Sequence, residues 1–447
     1  MNLHAKLLTR AEAGRPIRVG MIGAGKFGTM FLAQARRLKG IHVVGIADLN
    51  PQRAKDALAL TGWEAERMAA PSLAEATREG STHLTDDALG LIGSAEVEVV
   101  VECTGAPMAA VRHCLAAYGA GKHVVCATVE ADAFCGPALA ARAAEAGVIH
   151  SMAYGDQPAL VADLVDWARA CGFDVAAAGR GHKWLPHYRL STPETVWDHW
   201  GLTAEQAERG RLNPKMFNAF LDGSKPAIES AAICNACGLD APSKGLAYPP
   251  GGVDDIPSLM RPRDLGGALE ARGQVEVISS LTREGEPIAY DIRKGVWVCI
   301  EADTDYVRNC FEEYKVVTDD TGRFTSLYKR WHLIGLELGV SVASVGLRGE
   351  ATGAAREWRA DCAAQAKRAL SPGDMLDGEG GATVSGALRP ASASLAQRLV
   401  PLGLLDGAKV VRKVAADTLL TWDDVEVPEG PALDLRRAME VEVAPAA

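Results

Sequence analysis

The sequence lacks any apolar run near the ~18 residues that cross a bilayer, so no membrane span is expected. It has no basic surplus: 47 Lys and Arg stand against 57 Asp and Glu, a formal charge of −10. Nothing is left over to neutralise phosphates, which excludes broad binding to nucleic acid or an anionic membrane surface. Its ten cysteines are irregularly spaced and build no disulfide framework, which fits a reduced cytoplasm. The only CxxC, Cys234 to Cys237, has no second pair at zinc spacing and lies in a helical pattern, so it reads as packing. The opening segment has neither an apolar core nor a small-residue cleavage site, and no secretory leader is expected.

What is present is an ordinary globular balance, 48% hydrophobic and 23% charged, over 447 residues. At roughly 150 residues per domain, that length predicts two or three domains. Residues 1–157 alternate β-rich runs with helical patterns. Ile17 to Ile22, Ile41 to Ala47, Val97 to Glu102, His123 to Thr128 and Val148 to Ala153 read as strands, with helices such as Thr29 to Arg37 and Pro51 to Leu60 between them. That order predicts a parallel sheet covered on both faces, an α/β Rossmann domain. Residues 158–350 mix helices (Ala159 to Cys171, Phe217 to Cys237) with strands (Gln274 to Ile278, Gly295 to Glu301), an α+β catalytic domain. Ala241 to Arg263, rich in Pro, Gly and Asp, reads as a long loop near a site. Residues 351–447 carry repeated turn signals between short β-like pieces and predict a small β-rich C-terminal domain.

Gly23-Ala24-Gly25-Lys26-Phe27-Gly28 follows the first strand and opens the first helix of the sheet. The first glycine suits a tight turn, the second a close approach of backbone N–H groups to a pyrophosphate, the third close helix–strand packing. Asp48, ending the second strand, can accept from an adenosine ribose 2′-OH, which favours NAD. Arg53 and Lys55 just beyond can pair with a 2′-phosphate instead, so NAD and NADP both stay open. Thr104 and Gly105, in the turn after Glu102, fall at the carboxyl edge of the sheet, where the nicotinamide ribose is expected.

Several phrases together carry a resemblance: Gly23 to Gly28, Thr128-Val129-Glu130-Ala131-Asp132, Gly155-Asp156-Gln157-Pro158, Gly179-Arg180-Gly181-His182-Lys183, Asp222-Gly223-Ser224-Lys225 with Glu229, and His332 to Glu337. The first domain resembles that of homoserine dehydrogenases. The whole chain resembles the homoserine-dehydrogenase-like oxidoreductases that include the 1-deoxy-D-xylulose 5-phosphate reductoisomerase-like enzymes. The resemblance implies a Rossmann domain, an α+β catalytic domain and a C-terminal SAF (β-clip-like) domain, the last on Ala366-Lys367-Arg368 with Pro372-Gly373-Asp374 and Leu420 to Val425. Where homoserine dehydrogenases place a lysine after the strand, this chain has Glu130-Ala131-Asp132.

Hydride transfer needs a group that gives a proton to the developing alkoxide. Lys183 is the leading candidate: its glycine-flanked run suits a tight turn, and Trp184 beside it can desolvate the ammonium and lower its pKa. Asp222, Lys225 and Glu229 form a second catalytic candidate cluster, with Lys225 and Glu229 one helix turn apart. Arg180, His182, His187 and Arg189 surround Lys183 with positive charge, which suggests an anionic, phosphorylated or carboxylated substrate. Asp156, Gln157 and His332 complete the expected substrate contacts, and Glu130 the cofactor contacts. Glu130, Asp132 and Asp156 can equally cap helices or hold a divalent cation such as Mg or Mn, so the metal stays unassigned.

The leading expectation is an NAD(P)H-dependent oxidoreductase of a small anionic polyhydroxylated substrate, in its sharpest form reductoisomerase-like and serving isoprenoid precursor synthesis. A hydroxy-acid or polyol dehydrogenase is the alternative. A non-catalytic dinucleotide sensor is a third reading, against which Lys183 and Lys225 stand. The expected partner is a small molecule, and the expected form a cytoplasmic homo-oligomer.

Overall fold

The computed structural model describes residues 2–210 and 212–443. Two compact units emerge: the chain up to Leu160 with Leu333–Ala354, and Val161–His332 with the chain from Ala355. The first holds a parallel six-stranded sheet ordered β3-β2-β1-β4-β5-β6. Its strands are β1 (Ile17–Ile22), β2 (Ile41–Ala47), β3 (His83–Thr85), β4 (Val99–Glu102), β5 (His123–Cys126) and β6 (His150–Met152). β1, β2 and β4 are almost wholly buried, as runs of Val and Ile covered on both faces should be. The chain leaves β5 and β6 sooner than the apolar runs suggest, turning into loops at the carboxyl edge. β3 was not expected, because three half-buried residues with a histidine and a threonine give no strand signal.

Helices Lys26–Ala35, Pro51–Leu60, Pro107–Gly119 and Val129–Glu145 join these strands. The second starts as its sequence dictates, with Pro51 at the first position and the Asn50 side chain accepting from the Gln52 N–H. Residues 333–354 join this unit rather than the middle segment of 158–350. The helix Gly339–Arg348 buries Val342, Ala343 and Val345 against the core that holds Ile17 and Phe31. Gly346 permits that approach, since a Cβ there would lie 2.7 Å from a methyl of Ile17.

The second unit centres on a sheet ordered β10-β9-β7-β8, with β7 (Asp174–His182), β8 (Gln274–Ser279), β9 (Val296–Glu301) and β10 (Phe324–Lys329). β7 runs parallel to β8 and antiparallel to β9. The helix expected over Phe217 to Cys237 is two, Pro214–Leu221 and Ser224–Cys237. Gly223, at φ +85°, breaks it, and Asp222 caps the second helix by accepting from the Ser224 N–H at 2.8 Å. Cys234 and Cys237 are both buried within that second helix.

The C-terminal part pairs β11 (Ala360–Ala366) with β13 (Val384–Pro390), and β12 (Met375–Asp377) with β14 (Asp406–Val410) and β15 (Val425–Glu426). A closing helix, Pro431–Glu442, adds to the β-rich reading. Its buried Arg436 makes a two-pronged bond to Asp361, 2.7 Å in each arm, and lies over the Trp358 ring. Among the described residues, no helix is long and apolar enough to cross a membrane.

Candidate dinucleotide and catalytic sites

In the first unit, the loop between β1 and the helix Lys26–Ala35 is shaped by its glycines. A Cβ at Gly23, which sits at φ +97°, would fall 2.7 Å from the Cys103 carbonyl oxygen, and one at Gly28 would fall 2.5 Å from the Gly23 carbonyl. Gly25 differs: nothing stands within 4 Å of a Cβ there. It is the N-cap of the helix, whose first-turn N–H groups have no acceptor within the helix. Lys26 and Phe27 form that first turn. An open glycine at a helix N-terminus is a fit for a pyrophosphate.

Asp48 ends β2 with its carboxylate already engaged. It accepts from the Ala24 N–H at 2.8 Å, from the Asn50 N–H at 2.9 Å and from Arg53, whose Nη2 is 2.8 Å from both oxygens. Burial pushes its pKa up, but Arg53 and the two backbone donors outweigh burial and hold it below the ordinary carboxylate value. The Arg53 side chain is 56% exposed. The residue able to meet a 2′-phosphate is therefore ion-paired to the residue able to meet a ribose diol.

A residue that the sequence reading passed over ties together the loops where Thr104 and Gly105 lie. Glu102, fully buried at the end of β4, accepts from Thr104 Oγ1 at 2.6 Å and from the Thr128 hydroxyl. The Gly105 N–H in turn donates to Thr128 Oγ1 at 3.1 Å. One carboxylate thus ties together the loops after β4 and β5. A charged residue in an apolar strand was its only sequence signal. Glu130 is buried in the first turn of the helix that begins at Val129. Asp156 and Gln157 are also buried in this unit, the Gln157 N–H donating to Asp156 Oδ1 at 2.9 Å.

In the second unit, β7 delivers Lys183. Its glycines do not make a turn, as the sequence suggested, but lie within the strand. A Cβ at Gly179 would come 1.9 Å from the Glu276 carbonyl oxygen, and one at Gly181 2.1 Å from that of Ile292. They are glycines because backbone crowds both positions. Lys183 follows at the strand end, with Nζ donating to the His199 carbonyl at 2.7 Å and standing 5.4 Å from the Trp200 ring centroid. Burial first, then the charge of Arg293, lower its pKa. Trp200 supplies the aromatic contact expected of Trp184, which stacks instead on Tyr248, 4.1 Å between centroids. Tyr248 comes from the long Ala241 to Arg263 loop. A Cβ at Gly223 would meet its hydroxyl at 3.3 Å and Trp184 Nε1 at 3.7 Å. The Lys183 strand end, the Asp222–Ser224 turn and the Tyr248 loop therefore converge.

The expected positive patch is largely neutralised. Arg180 is buried in an ion pair with Glu229, which also occupies the Glu229 carboxylate. His182 is buried and bonded to the Phe220 carbonyl, and burial with the nearby Arg180 pushes its pKa down to about 3, so it is neutral. Arg189 pairs with Asp417, although its Nη1 is buried without an acceptor. Asp222 is buried against Lys367 at 2.7 Å. Lys225, one turn before Glu229, is half-buried. His332 has its Nδ1 bonded to the Lys294 carbonyl at 2.8 Å, next to Arg293, whose charge acts on Lys183. Among the described residues, no three His, Cys, Asp or Glu side chains gather as a metal-binding group.

Three family models match separate segments of the chain. Residues 17–128 match the NAD-binding Rossmann fold of the oxidoreductase family. Residues 155–338 match the catalytic domain of the oxidoreductase DRL, and residues 363–426 match the SAF domain. No curated protein matches the chain. Solved structures that resemble it include an NAD binding oxidoreductase from Klebsiella pneumoniae, 21% identical over 39% of this chain and 47% of that one, with a TM-score of 0.28. A probable dehydrogenase from Thermotoga maritima is 14% identical over 75% of this chain and 90% of its own, with a TM-score of 0.37. The WlbA dehydrogenase from Bordetella pertussis is 18% identical over 41% and 49%, with a TM-score of 0.28. The chain thus spans about half the length of the Klebsiella and Bordetella proteins it matches. By its three family matches, the chain carries the domains of an NAD(P)-dependent oxidoreductase, followed by a SAF domain.

Proposed function

We propose that the protein reduces a carbonyl of a small, anionic, polyhydroxylated substrate with NAD(P)H, and that 1-deoxy-D-xylulose 5-phosphate is the substrate to try first. The observation that carries this reading is Lys183, an ammonium held at a strand end over an indole with its pKa lowered by burial. Bound NAD(P)H would supply the hydride to the carbonyl carbon. Lys183 would donate a proton to the oxygen as its negative charge develops. On the sugar phosphate, an α-ketol or retro-aldol rearrangement would first give an aldehyde, which is then reduced.

The test follows NADPH and NADH oxidation with 1-deoxy-D-xylulose 5-phosphate, beside L-homoserine and NAD(P) in the oxidative direction. Turnover of the sugar phosphate to a reduced polyol phosphate supports the reading. Oxidation of homoserine alone would replace it with a hydroxy-acid dehydrogenase.

A further inference from the structure

The SAF region approaches the candidate catalytic turn through one buried side chain. Lys367, 3% exposed in its side chain, directly follows β11 and gives its three ammonium protons to three acceptors. These are Asp222 Oδ2 at 2.7 Å, the Ser191 carbonyl at 2.8 Å and the Gly381 carbonyl at 2.6 Å. The other Asp222 oxygen caps the helix that begins at Ser224. β13 holds the same turn from its far side, with the Gly386 N–H donating to Ser224 Oγ at 2.9 Å. Gly386 must be glycine, because a Cβ there would lie 2.9 Å from the Ser224 Cα. Asn218, before the turn, donates to the Gly380 carbonyl at 2.9 Å. The turn that starts the Ser224–Cys237 helix, and with it Lys225 and Glu229, is thus gripped on both sides by the C-terminal region.

We propose that Lys367 is a positioning residue of the oxidoreductase, and that the SAF region serves as an obligatory brace for the Asp222–Ser224 turn. A buried ammonium with all three protons satisfied fixes the Asp222 carboxylate in one orientation. That orientation sets the direction of the helix N-terminus and the place of Gly223 beneath Tyr248 and Trp184. The inference rests on the reading that this turn belongs to the catalytic machinery. Its first readout does not depend on that reading.

The experiment compares hydrogen exchange of the full-length protein with Lys367→Met and with the double variant Lys367→Met/Asp222→Asn. Lys367→Met strands a buried carboxylate, so amides of residues 222–228 should exchange about fivefold faster or more, while residues 17–35 keep their protection. The double variant removes the stranded charge and keeps an oxygen for the Ser224 cap, so it should regain protection at 222–228. A role limited to filling space would give no such rescue. Unchanged exchange at 222–228 in Lys367→Met, or loss without rescue in the double variant, would overturn the proposal. If Lys367→Met does not fold, the double variant must fold; its failure would overturn the proposal as well. A second readout is turnover with 1-deoxy-D-xylulose 5-phosphate, where kcat should fall in Lys367→Met while NADPH affinity is retained. Absence of turnover in the unaltered protein would count against the proposed substrate alone, and the exchange result would still decide the role of Lys367.

Discussion

Asp48 and Arg53 show how a single ion pair can leave cofactor choice balanced. The guanidinium neutralises the carboxylate that would repel a 2′-phosphate, and it is exposed enough to turn toward one. Arg53→Ala should leave Asp48 free to hold a ribose diol, shifting the NADPH-to-NADH affinity ratio at least about fivefold toward NADH. Calorimetric titration of both cofactors checks this; an unchanged ratio would place the discrimination elsewhere. Gly25→Val would put a side chain in the open space at the helix N-terminus and should abolish binding of either. Glu276 gives a stability prediction. Burial drives its pKa up to about 7, against backbone N–H groups of Val277, Ala247 and Tyr248 that pull the other way. The folded state therefore keeps a proton that the unfolded chain, titrating near 4.5, releases. That contribution is full below pH ~4.5 and lost as pH rises through ~7, worth up to about 3 kcal/mol. Glu276→Gln should flatten the stability profile over this window in denaturant melts. A profile that still falls would assign the titration to another group.

At the scale of elements, legibility followed burial and local sequence. β1 and β2 are readable to the residue because each is a short, β-rich, mostly apolar run bounded by turn signals. The break at Gly223 is not, since apolar helical periodicity runs on both sides of it; the glycine turns the chain at φ +85°, and Asp222 before it is held by Lys367, 145 residues away. The sequence offers Arg180 as a substrate contact and Glu229 as a catalytic candidate, because spacing cannot show that β7 and a distant helix pair them. The glycines of β7 were read as a turn when the crowding that requires them comes from Glu276 and Ile292. Gly179→Ala should accordingly cost about 3 kcal/mol, the upper end for overpacking a full site, where a turn glycine would cost about 1. Denaturant melts distinguish the two values.

For the whole molecule, the three sequence segments become two compact units. One carries the dinucleotide loop, Asp48 and the Glu102 knot; the other carries Lys183, the Asp222 turn and the SAF region that braces it. Dinucleotide affinity and proton donation should therefore respond to different substitutions. The most direct test of the account is steady-state and binding measurement on Lys183→Met with 1-deoxy-D-xylulose 5-phosphate and NADPH, beside Lys225→Met. Loss of a proton donor should lower kcat by about 10²–10⁴-fold, while the dissociation constant of NADPH stays within a few-fold of that of the unaltered protein. Near-native turnover in Lys183→Met, whether or not Lys225→Met is impaired, would contradict the role given to Lys183.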